Sequence, residues 1–138
     1  MTLIELTVVI LVLISLIAVL FIGARAWKRG SDRSAAVITI RNSQMGLRAH
    51  NRIEGIDDAG TFLNLPQQVF GQNKYVFNGA QKADGELPSH PANGQTFDFV
   101  AGNGDIIPPL GQLYICTGGI SSLNDFTYNP TPNVYRQW

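Results

Sequence analysis

Two hydrophobic patterns follow one another along the chain. From Leu3 to Ala24 apolar residues dominate without a polar face, and Glu5 is the only ionisable side chain among these 22 residues. As an α-helix the run would extend about 33 Å, at about 1.5 Å per residue, against a bilayer core of about 30 Å. It therefore predicts a membrane-crossing helix over residues 1–24. A cleaved secretory signal has a shorter apolar region of about 7–15 residues behind a basic stretch. Residues 25–54 then take on a helical period, with Ile38, Met45, Ala49 and Ile53 spaced by seven, four and four and Asn42 filling the gap. That spacing predicts one face of a 3.6-period helix packed on a globular head, with Arg41, Arg48 and Arg52 mainly turned away from it. Gly30-Ser31-Asp32 is a point where this helix can weaken, and Gly55 is the expected stop before Asp57-Asp58.

Beyond Gly55 the pattern breaks into short pieces. Residues 55–138 hold all seven prolines and 11 of the 14 glycines, the residues that most strongly punctuate local structure. Lys74–Phe77, Thr96–Val100, Gln112–Cys116 and Asp125–Tyr128 are aromatic or β-branched runs bounded by Gly, Asn or Pro, and so predict strands. The fold class expected is α+β: a long N-terminal helix, half apolar and half amphipathic, packed on a small antiparallel β-sheet head. A head of 84 residues buries too little surface to dispense with the stem helix.

Composition narrows the functions open to this chain. Charged residues make up 14% of 138 residues and the formal net charge is zero, so no whole-chain field draws it to nucleic acid or acidic lipid. The charge is nonetheless divided. Residues 1–54 carry seven bases and three acids, a net +4, and residues 55–138 carry three bases and seven acids, a net −4. A basic stem and an acidic head attract one another when copies stack with a stagger.

Glu5 is the anomaly of the apolar run. A carboxylate in hydrocarbon costs on the order of 3 kcal/mol on insertion scales, and Thr2, Thr7 and Ser15 can satisfy their hydroxyls on helix carbonyls without cancelling a charge. Either Glu5 reaches the headgroups from its place near the chain start, or an α-amino group neutralises it, most readily that of a neighbouring copy.

Met1-Thr2-Leu3-Ile4-Glu5-Leu6-Thr7-Val8-Val9-Ile10 resembles the mature N-terminus of type IV pilins and type II secretion pseudopilins, whose pattern is Phe-Thr-Leu-Ile-Glu-Leu before an apolar run. The match is strong over about the first 25 residues and looser to residue 54. The resemblance implies that a prepilin peptidase removes a short basic leader and methylates the new amine at Met1, and that Glu5 pairs with a neighbour's N-terminal amine in a helical filament. Met1 stands where Phe is usual, which admits a second reading of Met1 as an initiator. Arg25, Lys28, Arg29 and Arg33 follow the span and would by themselves hold that end in the cytoplasm; the family places it outside, and basic residues in a leader would reconcile the two. The family commonly has Gly and Pro where this chain has Ile14 and Ile22, and its helix often loosens between them. With both helix-breakers missing, a largely continuous helix is expected from about Thr2 to about Gly30, any break falling near Gly23 or Gly30.

Candidate chemistry elsewhere is sparse. His50 reads as a surface or packing residue and His90 as a loop residue with no second local histidine. Asp98, Asn103 and Asp105 could place oxygens around Ca²⁺, which the resemblance implies for the major pseudopilins, but their spacing is not an EF-hand loop. Cys116 reads as a buried small hydrophobe, and Phe97, Phe99, Tyr114, Phe126 and Tyr128 as core. A lone cysteine cannot form the disulfide with which many pilins tie their C-terminal region, which leaves packing by Tyr135 and Trp138. No nucleophile elbow, P-loop or zincin helix is present, so neither an enzyme, a cofactor nor a metal is expected. The leading expectation is a structural subunit of a type IV pilus-like filament, with copies of itself, the prepilin peptidase and the pilus assembly machinery as partners and no nucleic acid. Its location would be the bacterial inner membrane before assembly and the cell surface after it. A type II secretion pseudopilin or minor pilin is the alternative within the family, and a monomeric membrane-anchored binding module the alternative outside it.

Overall fold

The computed structural model describes residues 2–118, 123 and 125–138. Helix α1 runs without interruption over Leu3–Glu54. Neither Gly23 nor Gly30 breaks it, and Gly30-Ser31-Asp32 stays helical. Two short helices follow, α2 (Leu65–Val69) and α3 (Pro132–Tyr135), with strands β1 (Asp98–Phe99) and β2 (Ile115–Cys116) between them. The chain divides into two compact units, Met1–Asp32 and Arg33–Trp138.

In the first unit every side chain from Thr2 to Gly30 is exposed, and α1 is long and apolar enough to cross a membrane. The hydroxyls of Thr7 and Ser15 donate to the carbonyls of Ile4 and Val12, both at 2.8 Å, so neither needs a partner outside the helix.

In the second unit, residues 33–54 of α1 pack against the β-containing segment, but through a different face from the one the apolar spacing predicts. Ile38, Met45 and Ile53 are more than half exposed. Buried instead are Ala36, Ile40, Ser43, Gln44, Gly46, Leu47, His50 and Asn51. Several of these polar and small residues make contacts that an aliphatic side chain could not. Gln44 donates Nε2–H to the Gln112 carbonyl at 3.1 Å and accepts the Tyr114 N–H on Oε1 at 3.0 Å, tying α1 to the backbone that leads into β2. Gly46 lets the chain at Tyr75–Val76 come close, since a Cβ there would lie 2.7 Å from Val76 Cγ2. His50 sits edge-on to Phe62 and Tyr75. Ala36, Ile40 and Leu47, spaced by four and seven, are the apolar part of this face, and beside them the amide, the missing side chain and the imidazole make contacts that a hydrophobicity period cannot register. The arginines also depart from expectation: Arg41 and Arg52 line one groove with Met45 and Ala49, and the Arg48 side chain is only 14% exposed, ion-paired to Asp58, with Nη2 donating to the Pro109 carbonyl at 3.2 Å. Gly55 ends α1 as the sequence predicts, at φ +65°, with the Ile56 N–H returning to the Asn51 carbonyl at 2.9 Å as in a Schellman turn.

The sheet is smaller than the sequence predicts. Among the described residues, β1 and β2 form one antiparallel pair with Asp98 opposite Cys116 and Phe99 opposite Ile115. Lys74–Phe77 contributes a single bridge, Val76 to Phe70, and Asp125–Tyr128 is a turn. There the Asp125 carboxylate accepts the Thr127 N–H and hydroxyl at 3.0 and 2.6 Å, a local bond that competes with strand pairing. The core is therefore held by side chains around Phe70, Phe97, Leu47, Ile107 and Ile115 rather than by long ladders. Phe70 and Tyr114 stack at 6.1 Å, Cys116 is buried, and Tyr135 and Trp138 pack partly buried on the same core.

Candidate assembly site

The site singled out by the resemblance lies at the start of α1. Thr2 precedes the helix, and its backbone N–H donates to Glu5 Oε2 at 3.3 Å while the Glu5 N–H donates to Thr2 Oγ1 at 3.4 Å. This reciprocal pair is a capping box, which satisfies two of the donors that a helix N-terminus leaves without partners. A carboxylate in the first turn also faces the positive end of the helix dipole. The Thr-x-x-Glu spacing ahead of an apolar run is a legible signature of such a box, and it is the signal a reading based on membrane cost alone passes over. Glu5 thus has a structural task within its own chain. Its side chain remains exposed, on a helix surface whose neighbours Leu3, Ile4, Leu6, Val8 and Val9 are all at least half exposed. Met1, the other residue assigned to processing and assembly, lies outside the described residues.

The remaining candidates are absorbed by the fold. Asp105 accepts the Leu65 N–H on Oδ1 at 3.2 Å and Asn103 Nδ2–H on Oδ2 at 2.9 Å, so its carboxylate fastens α2 to the loop before Ile106. Asp98 is exposed on β1. Among the described residues no three His, Cys, Asp or Glu side chains come together as a metal set. His90 accepts the Ala92 N–H on Nδ1 at 3.1 Å and packs against Tyr128 with ring centres 4.6 Å apart. Burial, reinforced by the Asp105 charge, pushes the Tyr114 hydroxyl well above the ordinary tyrosine range, and it donates to the Gly104 carbonyl at 2.7 Å.

One residue that the sequence did not flag fastens the C-terminal segment. Asn129 is fully buried, and its Oδ1 accepts the Thr117 N–H at 2.8 Å and the Thr117 hydroxyl at 2.9 Å, while its Nδ2–H donates to the Thr117 carbonyl at 3.2 Å. This clasp joins the end of β2 to the segment leading into α3, the kind of link a disulfide would otherwise supply. A single asparagine before a proline carries no pattern that reveals it.

No family model matches the chain, and no curated protein or solved structure matches it.

Proposed function

We propose that this protein is a structural subunit that inserts its apolar helix in a membrane and then polymerises into a helical filament of the type IV pilus kind. The observation that carries the reading is the exposed apolar surface from Leu3 to Ile22 with one carboxylate, Glu5, upon it. Such a surface must be covered by lipid or by other protein. A filament core covers it with copies of itself, and there Glu5 meets a neighbour's N-terminal amine. The Met1–Leu6 resemblance supports the same reading, and a type II secretion pseudopilus or a minor subunit uses the same geometry. Electron microscopy of sheared cell-surface material, with identification of the protein by mass spectrometry, tests it. Fibres containing the chain are the expected result; a chain that stays wholly in the membrane fraction refutes it.

The Thr2–Glu5 capping box favours a second reading, a monomeric membrane-anchored binding module. There Glu5 serves only to start the helix near the headgroups. Fibre formation separates the two.

A further inference from the structure

Charge is separated along this chain and little of it is neutralised internally. Of the four arginines at positions 33–54, only Arg48 meets an acid, and its pair with Asp58 is the sole ion pair among the described residues. Arg41 and Arg52 are exposed and face the same way, being eleven residues apart on a helix of about 3.6 residues per turn. Between them lie Met45 and Ala49, and Trp138 closes the far side of a groove of about 350 Å³. Met45 is half exposed although its spacing is that of a packing residue.

The acidic half of the chain carries a matching feature. Asp84 and Glu86 are both exposed, one on each side of Gly85 at φ +92°. Their loop is braced from within: Asn78 Nδ2–H donates to the carbonyls of Ala83 and Glu86, both at 2.8 Å, and the Gly85 N–H donates to the Phe70 carbonyl at 2.9 Å. A braced loop loses little conformational freedom on docking. Its two carboxylates stand two residues apart, about 7 Å of chain. Arg41 and Arg52 are about 16 Å apart along the helix axis, and two long side chains reaching inward over Met45 and Ala49 can close that difference.

We propose that the groove of Arg41, Met45 and Arg52 receives the Asp84–Glu86 loop of a second copy of this chain. The proposal rests on the filament reading for its setting and gives that assembly a head-to-stem contact. It uses charge complementarity that the single chain leaves unspent, and the apolar floor of the groove adds burial that a plain surface ion pair lacks.

Two full-length variants, Gln137→Cys beside the groove and Gln81→Cys beside the acidic loop, both at exposed positions, are mixed in vesicles of neutral lipid and in any fibres obtained, then oxidised. An interchain cross-link between the two variants is expected, and its absence overturns the proposal. The unaltered chain is the background, because its only cysteine, Cys116, is buried. Cross-linking in vesicles without any fibres would leave the head-to-stem contact standing while the filament reading falls. Fibres without the cross-link would do the reverse. As a second measurement, reversing Arg41 and Arg52 to Glu should lower cross-linking between Cys pairs placed at Gln137 and Gln81 by about tenfold, since like charges across an interface oppose association. Adding Asp84→Lys and Glu86→Lys to the same chain should restore it, and failure to restore overturns the pairing.

Discussion

Replacing Glu5 by glutamine separates the two tasks that its position allows. In the single chain the carboxylate accepts the Thr2 N–H at 3.3 Å, a bond that a glutamine side-chain oxygen can also accept, since Glu and Gln both serve in a capping box. Glu5→Gln should therefore change the start of α1 by only a few tenths of a kcal/mol, against about 0.5–2 kcal/mol for loss of a cap. Pairing with a neighbour's amine is different. At about 4 Å and an effective dielectric near 20, the attraction is on the order of 4 kcal/mol before desolvation. If half of it survives desolvation, about 2 kcal/mol, its loss raises the concentration needed for assembly by roughly thirtyfold. Amide hydrogen exchange at residues 3–6 in micelles reads the cap, and sedimentation with electron microscopy reads the fibre. The expected result is near-native exchange with fibre yield sharply reduced; Glu5→Ala should impair both and still leave the protein in the membrane. Normal fibre yield from Glu5→Gln would show that the charge has no part in assembly and that the capping box is the whole of what Glu5 does.

Gln44→Ala leaves the buried Tyr114 N–H without its acceptor and opens a void against Gln112, so urea denaturation should show a loss of about 3 kcal/mol. Asn129→Ala removes three bonds to Thr117 and should cost about 2 kcal/mol, with protection lost first at the amide of Thr117 in hydrogen exchange. Tyr114 is held protonated in the folded chain beyond the pH at which an unfolded tyrosine ionises, so its contribution is intact below about pH 10 and falls as pH rises further; alkaline unfolding should begin there and be shifted upward by Tyr114→Phe. In an assembled fibre residues 15–22 should remain helical, as they are in the single chain, and density showing an extended stretch there would contradict the cost assigned to freeing backbone groups in a dry core.

Length and periodicity are properties of a local segment, and what depends on them alone is legible in the order of the residues. The apolar run from Leu3 to Ala24 predicts a helix without reference to the rest of the chain, because every backbone bond it needs lies within itself. Gly55 ends that helix through its own tolerance of positive φ, and Cys116 and Tyr114 are buried where their surroundings are apolar. The capping box is equally local and equally legible, in the Thr2-x-x-Glu5 spacing. The docking face of α1 is not. Ile38, Met45 and Ile53 have the period of a core face, but so do Ala36, Ile40 and Leu47, and the tertiary structure buries the second set together with Ser43, Gln44, Gly46, His50 and Asn51. The amide bridging to Gln112 and Tyr114 and the close approach that Gly46 permits distinguish the two faces. The sheet departs from expectation in the same way. Strand propensity in Lys74–Phe77 and Asp125–Tyr128 is real, but a ladder needs a partner at the right register, and side-chain bonds such as that of Asp125 to Thr127 offer the backbone a nearer alternative. Asn129 shows the limit most plainly, since a polar side chain becomes a clasp only when distant backbone is brought within about 3 Å of it, and no pattern along the chain encodes that distance.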